Sequence, residues 1–484
     1  MSKFYITTSI PYVNAEPHIG NVLDSLYADV LARHKREYKF DVRFLTGADE
    51  HGAKIARSAA AKKVTPKQFV NENSEKFRAL KPALNLSWDD FIRTSDRERH
   101  WPGVQKLWSA LAAKGDLYKK IYKGLYCVGH EAFITDKDLV DGQCQDHQKA
   151  PEAIEEENWF FRLSKYAQEI AARIKKDEFK IIPESRKHEI LNFIQAGLTD
   201  VSFSRPSKDI AWGVPVPGDP GQTIYVWAEA LASYISSLGY GSADESAFKK
   251  YWPADAQVIG KDNLRFHAAI WPGMLLAAGL PLPKTLFVHG FLTVDGQKIS
   301  KTVGNVISPI ELVQQYNTDP VRYYLLRETS PFEDGDFSYE KFAKRYNSDL
   351  ANGLGNFAAR VLTLGDKLGT ISADGLEKSV EKKIADVRGE VKTKIDEFKF
   401  HEAVAAIWSL VAFGDQYTNN KQPWKLGGQP AQEIVFNLVV VLDNVAALLK
   451  PFLPDTAEKI TTAIQWTSKK TLKISKLPVL FPRL

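Results

Sequence analysis

An α/β fold with a split, Rossmann-like parallel sheet, interrupted by an insertion and followed by an all-α bundle, is predicted by three observations along the 484-residue chain. The first is a strand-helix-strand unit near the start. Phe4-Tyr5-Ile6-Thr7 and Val42-Arg43-Phe44-Leu45 are β-prone, and Ile19, Val22, Leu23, Leu26, Val30 and Leu31 recur between them at helical spacing. Such alternation favours a parallel sheet with ligands at the C-terminal ends of its strands. The second is the return of that texture between Thr223 and Leu326, where Gln257-Val258-Ile259-Gly260 and Leu286-Phe287-Val288-His289 read as buried strands followed by loops. The third is the loss of strand-like runs after about Phe332, beyond which 350–368, 380–398, 400–417 and 430–449 have helical periodicity.

Between the two halves, 117–221 is rich in Gly, Tyr and charged residues and ends in Val214-Pro215-Val216-Pro217-Gly218-Asp219-Pro220-Gly221, the texture of an insertion. The expected divisions are therefore 1–116, 117–221, 222–331 and 332–484. With 44% hydrophobic and 25% charged residues the chain can bury more than one core. A net charge of +5 is compatible with a polyanionic partner and equally with a slightly basic enzyme. No apolar run is expected to reach the roughly 18 or more residues of a membrane span. A strand that begins at Phe4 leaves no room for a leader, and two cysteines exclude a disulfide scaffold. A cytoplasmic protein with no membrane partner is expected.

The chemistry is concentrated in short segments. Pro17-His18-Ile19-Gly20-Asn21 opens the first helix, where imidazole and amide donors join backbone N–H groups at an end whose dipole favours anions. Far downstream, Lys298-Ile299-Ser300-Lys301-Thr302 supplies two ammonium groups suited to the charge that builds on a departing pyrophosphate. Taken singly, each segment also reads as an ordinary surface run; the pairing points to ATP activation. In Cys127-Val128-Gly129-His130 and Cys144-Gln145-Asp146-His147, both cysteines stand three positions before a histidine. Two thiolates and two imidazoles suit a tetrahedral Zn2+. The alternative is two buried thiols beside surface histidines.

Thr8-Ser9-Ile10-Pro11-Tyr12-Val13-Asn14, Phe44 to Gly52, Ile224-Tyr225-Val226-Trp227, Gly260-Lys261-Asp262 with Phe266-His267, and Val288-His289-Gly290 complete the pattern. With the two phosphate-handling segments they resemble the class I aminoacyl-tRNA synthetases, and within them the methionyl family. The resemblance implies a ligase that joins L-methionine and ATP into methionyl-adenylate and then esterifies the 3′-terminal adenosine of tRNA(Met). It implies ATP contacts from His18, Gly20, Asn21, Lys298 and Lys301, with Asp262 near the ribose and Mg2+ arriving with ATP. Asn21 replaces the second histidine often seen there; an amide donates but cannot become cationic. Asp49 is the implied partner of the methionine ammonium, its alternative being a helix N-cap. Ile10, Tyr12, Trp227, Tyr234, Phe266 and His267 are the implied walls around the thioether, whose polarizable sulfur suits aromatic neighbours. Segment 117–221 corresponds to the connective peptide, too short for a large editing domain. His130 stands where the family usually has Cys. Asn356 and Arg360, four apart on one helix face, and Trp424 in Tyr417-Thr418-Asn419-Asn420-Lys421-Gln422-Pro423-Trp424 correspond to anticodon readers. For Trp424 the alternative is helix packing. A monomer is expected.

Overall fold

The computed structural model describes residues 2–127, 132–134, 139–145, 148–300, 304–468 and 470–484. It divides into two compact units, one formed by Met1–Pro17, Lys35–Lys81 and Ser87–Val288, the other by His18–His34, Pro82–Leu86 and His289–Leu484. This partition cuts across the four expected divisions, because His18–His34 groups with the C-terminal half of the chain.

The first unit is built on a six-stranded parallel sheet. From edge to edge its strands are Asp90–Arg93, Asp41–Ala48, Lys3–Thr8, Ala256–Gly260, Thr285–His289 and Lys180–Ile182. Ile6 lies opposite Phe44 on one side and Ala256 on the other, so the first strand joins the two halves that are far apart in sequence. Tyr5, Ile6, Phe44, Leu45, Val258, Ile259, Leu286 and Phe287 are all buried. Strands covered on both faces read as continuous apolar runs, which is why these were visible in the sequence.

The 117–221 segment is less separate than its texture implies. It forms a four-stranded sheet in the order Val201–Ser202, Glu152–Phe161, Leu117–Cys127, Ala132–Ile134, with antiparallel pairing. It then returns Lys180–Ile182 to the main sheet, where Leu286 pairs with Ile181. A three-residue strand carries no periodicity of its own and is fixed by its partner.

In the second unit the helices Asn356–Leu368, Lys378–Asp396, Phe400–Lys421 and Gly428–Leu449 match the expected periodic segments. Strands do persist after Phe332: Gly335–Phe337 pairs with Leu292–Val294, and Thr370–Ser372, Thr471–Ile474 and Ile464–Ser468 form a small antiparallel sheet. These are three to five residues long and paired to distant segments, so the bundle is mostly rather than wholly helical. Gly428–Leu449 is long and apolar enough to cross a membrane, a property that Glu433, Asn437 and Asp443 hide from a search for uninterrupted runs. Its Val435, Leu438, Val439, Leu442 and Val445 are buried, as in a core helix.

Arg322, fully buried, ties this unit together. It donates to Asp29 at 2.8 Å and to the carbonyls of Leu84, Pro451 and Phe452 at 2.8 to 2.9 Å. Asp29 also accepts from Arg33 at 2.8 Å. Tyr27 stacks on Phe400 with ring centroids 5.2 Å apart. The helix Leu23–Glu37, which follows His18, is thereby fastened to the bundle.

Candidate active site

His18 is the N-cap of a single turn, Ile19–Val22, that leads into the helix Leu23–Glu37. Its Nδ1 accepts from Gly20 N–H at 3.1 Å, while its own N–H donates to Asn21 Oδ1 at 3.0 Å. This reciprocal cap satisfies two of the donors that a helix start leaves open. It also fixes two orientations: the neutral ring carries its proton on Nε2, and Asn21 keeps its NH2 as a donor edge. A Cβ on Gly20 would lie 3.0 Å from His18 Cε1 and 3.4 Å from Ile299 Cδ1. Gly20 is therefore the point at which the two phosphate-handling segments meet.

Ile19 N–H donates to Ile307 O at 3.0 Å, anchoring the far end of the lysine loop on the same turn. Within that loop, Asn305 Oδ1 accepts from Ser300 N–H at 2.8 Å and its amide donates to Lys298 O at 3.1 Å. Asn305 thus holds the backbone on both sides of Ile299, and the side chain of Lys298 is exposed. Lys301 lies outside the described residues. At the root of the loop His289, buried, faces two acceptors: Nδ1 contacts Gly290 O at 2.7 Å and Nε2 contacts Asp24 Oδ1 at 2.6 Å.

The residues matched to methionine lie in the first unit. Tyr12 and Asp49 form a parallel bridge beyond the ends of the two central strands, with Asp49 N–H donating to Pro11 O at 2.9 Å and Val13 N–H to Asp49 O at 3.0 Å. Ligands of open α/β sheets bind at such strand ends. The helix that follows, Ala53–Ala61, has Gly52 at its N-cap, so Asp49 is not the N-cap residue. Ile10 packs on Gly47, where a Cβ would come within 2.9 Å of Ile10 Cγ2 and 2.3 Å of Ile92 O. Trp227, on the short helix Val226–Leu231, has its ring centroid 3.9 Å from that of Phe266. Phe266 and His267 stand on one π-helical turn, Phe266–Ile270, a local widening frequent at functional sites. His267 Nδ1 donates to Asn263 O at 3.1 Å, so Nε2 accepts from Tyr234 O–H at 2.7 Å. Asp262 is exposed on the turn Lys261–Asn263.

Two buried carboxylates flank this pocket that sequence reasoning missed. Glu50 accepts from Arg93 Nε at 2.6 Å and from the hydroxyls of Ser74 and Ser95. Glu229, two residues after Trp227, contacts His51 Nδ1 at 2.8 Å and His100 Nε2 at 2.6 Å, and His100 Nδ1 meets Ser236 Oγ at 2.8 Å. Burial alone would push the Glu229 carboxyl up; the imidazoles of His51 and His100 outweigh it and hold the carboxyl below its usual range. The signal available in the sequence was the run Asp49-Glu50-His51, in which three consecutive polar side chains end a buried strand.

Cys127 and Cys144 share one small buried cluster with Ile134. Gln148 N–H donates to Cys144 O at 2.8 Å and Cys144 N–H to Lys149 O at 2.9 Å, which fixes the backbone of Cys144. Paired buried thiols fit half of a zinc donor set. His130 and His147 lie outside the described residues, among which no group of three or more potential ligands is gathered.

In the bundle, Asn356 is exposed, and Arg360 donates to Asp415 Oδ1 at 3.2 Å and Asn419 Oδ1 at 2.8 Å. The Arg360 guanidinium lies 5.9 Å from the ring of Trp424. Trp424 is 52% exposed, which does not match a packing residue. Gln422, in the left-handed region at φ 44°, and Pro423 turn the chain so that the indole faces outward.

The sequence profile of the family described as tRNA synthetases class I (M) matches residues 4–148 and 136–362, and that of the anticodon-binding domain of tRNA ligase matches 377–480. A methionine--tRNA ligase of Clostridium acetobutylicum is 42% identical over an alignment covering 100% of this chain and 78% of its own length. That of Brucella suis is 42% identical, covering 95% and 91%. Among solved structures, Mycobacterium tuberculosis methionyl-tRNA synthetase in complex with methionyl-adenylate superposes with a TM-score of 0.95 at 36% identity, over 100% of both chains. The apo form of that enzyme gives 0.88 at 33%. Similarity that runs the whole length of the chain, through the turn at His18 and on into the helical bundle, makes this chain a member of the methionyl-tRNA synthetase family of class I synthetases.

Proposed function

We propose that the chain activates L-methionine with ATP and transfers it to tRNA(Met). The observation that carries this reading is the meeting of Gly20 with Ile299, which joins two phosphate-handling segments nearly 280 residues apart in one unit. In the first step a methionine carboxylate oxygen attacks the α-phosphate, the bond to the β-phosphate breaks, and pyrophosphate leaves. Little covalent help is needed; the protein positions two anions and stabilises charge on the leaving group. His18 Nε2–H and the Asn21 amide are the donors at the helix start, and Lys298 with Lys301 neutralises the phosphates. Mg2+ accompanies ATP as a substrate complex, and Asp262 holds the ribose. Asp49 receives the methionine ammonium, while Ile10, Tyr12, Trp227, Tyr234, Phe266 and His267 enclose its side chain.

In the second step the 2′-hydroxyl of the terminal adenosine attacks the adenylate carbonyl, loses its proton and releases AMP. Asn356, Arg360 and Trp424 read the anticodon; the exposed indole beside a guanidinium supports this. Cys127, His130, Cys144 and His147 hold one Zn2+, which would supply a structural cross-link in the 117–221 segment. We assign the protein to the cytoplasm as a monomer without a membrane partner.

Pyrophosphate exchange with each of the twenty amino acids tests the reading. Exchange with methionine in large excess over the others is expected; exchange with none, or with another amino acid, would overturn it.

A further inference from the structure

We propose that Glu229 is a positioning residue for the amino-acid pocket: through His51 and His100 its carboxylate fixes the turn bearing Asp49 to the two short helices bearing Trp227 and Tyr234. The inference rests on the assignment of those three residues to methionine. The hydrogen bonds run unbroken from His51 Nδ1 to Glu229 Oε1 at 2.8 Å, from Glu229 Oε2 to His100 Nε2 at 2.6 Å, and from His100 Nδ1 to Ser236 Oγ at 2.8 Å. His51 is two residues from Asp49; Glu229 is on Val226–Leu231 with Trp227; Ser236 is on Ser233–Ser236 with Tyr234. One chain of contacts therefore reaches all three.

Each member is buried, and burying a charged group with its partners is a poor way to add stability, since apolar side chains of similar volume often serve as well. What such a network supplies is direction. Imidazole N–H groups reach the carboxylate only at defined angles, so the 49–51 turn is held in one setting. Glu50 fixes the same turn from its other side through Arg93, Ser74 and Ser95. His51 is further set by Trp212, with ring centroids 5.4 Å apart, and Trp212 Nε1 donates to Glu50 O at 2.6 Å.

The carboxylate accepts from both rings. An amide in its place accepts from one and offers N–H to the other, which His100 can receive by moving its proton to Nδ1 and donating to Ser236 Oγ. Glu229→Gln should therefore fold and loosen the connection, while Glu229→Ala removes it. Pyrophosphate exchange, measured over methionine and ATP concentrations with melting temperatures on the same preparations, is the test. For Glu229→Gln the methionine KM is expected to rise about two- to tenfold, the size of one net hydrogen bond, with the ATP KM and kcat within about twofold of wild type. Glu229→Ala should raise the methionine KM further, and its ATP KM should again stay near wild type. A methionine KM for Glu229→Gln within twofold of wild type, or equal rises for methionine and ATP, would overturn the proposal. Glu229→Gln decides alone where Glu229→Ala does not fold. Wild type lacking methionine-dependent exchange would overturn the functional reading and this inference together, whereas an active wild type with an unaltered variant overturns only the inference.

Discussion

Two tryptophans in this molecule stand in opposite surroundings. The indole of Trp227 lies 3.9 Å from Phe266, on a helix that a buried carboxylate fastens to the sheet end. Trp424 projects from the bundle, 52% exposed, with the Arg360 guanidinium 5.9 Å from its ring. The difference follows from what each surface is proposed to bind. A single amino acid offers few contacts, so the walls that select it must be set before it arrives, and ordering them on binding would consume the affinity. A nucleic acid brings large flat bases of its own, and an exposed ring needs only a fixed stem to serve as a stacking platform.

The comparison is broken most severely at Asp49. Asp49→Ala removes the proposed partner of the methionine ammonium from a buried position and should raise the methionine KM in pyrophosphate exchange by about a hundredfold or more. The ATP KM should change by less than about threefold. Parallel rises in both would show that the turn, not the carboxylate, was lost.

Trp424→Ala should cost about ten- to hundredfold in the aminoacylation specificity constant for tRNA, with exchange in the absence of tRNA near wild type. Because the ring is exposed, the melting temperature should stay within a degree or two of wild type. A matching fall in exchange, aminoacylation and melting temperature would instead make Trp424 a packing residue.

Much of this arrangement was legible in the sequence, and the reason lies in distance along the chain. His18, Gly20 and Asn21 cap one turn, so the motif is complete within four residues. Central strands such as Gln257 to Gly260 advertise themselves because both faces are buried. By contrast, Glu229 meets His100 and His51 at separations of 129 and 178 residues, and within Trp227-Ala228-Glu229-Ala230 it reads as an ordinary polar helix position. Asn305 is similar: no periodicity announces its hydrogen bonds to Ser300 and Lys298, five and seven residues earlier. The edge strand Lys180–Ile182 owes its place to a partner about a hundred residues later, so the insertion texture of 117–221 does not announce it. The burial of Gly428–Leu449 was equally invisible, since an amphipathic count cannot tell a core helix from a spanning one.

A smaller effect sharpens the pocket side of the comparison. Tyr234→Phe removes the hydroxyl that donates to His267 Nε2 at 2.7 Å and leaves that nitrogen without its donor. An increase of about two- to tenfold in the methionine KM is expected, with tRNA parameters unchanged. An unaltered KM would mean that the bond from Tyr234 does not position His267.

The smallest effect concerns the platform. Burial pushes the Asp415 carboxyl up despite the neighbouring Arg360. Its folded-state affinity for the proton therefore exceeds that of the unfolded chain, so the stability it contributes is full below its ordinary value of 3.8 and falls as pH rises through the folded value. Asp415→Asn should flatten this: the variant's melting temperature relative to wild type should climb as pH is raised from about 3.8 and level off above the folded value. A difference that is constant across that window would show that Arg360 outweighs burial at this site.

The bonds at Glu229 have one more consequence. The protons on His51 Nδ1 and His100 Nε2 are buried between nitrogen and a carboxylate at 2.8 and 2.6 Å, so slow exchange with water and lines downfield of the backbone amides are expected. They form a pair of built-in spectroscopic reporters, one on the turn beside Asp49 and one on the segment that precedes the helix Trp101–Ala113. Loss of either line in Glu229→Gln, seen in a one-dimensional proton spectrum of the unlabelled protein, is the expected sign that the corresponding bond has been broken.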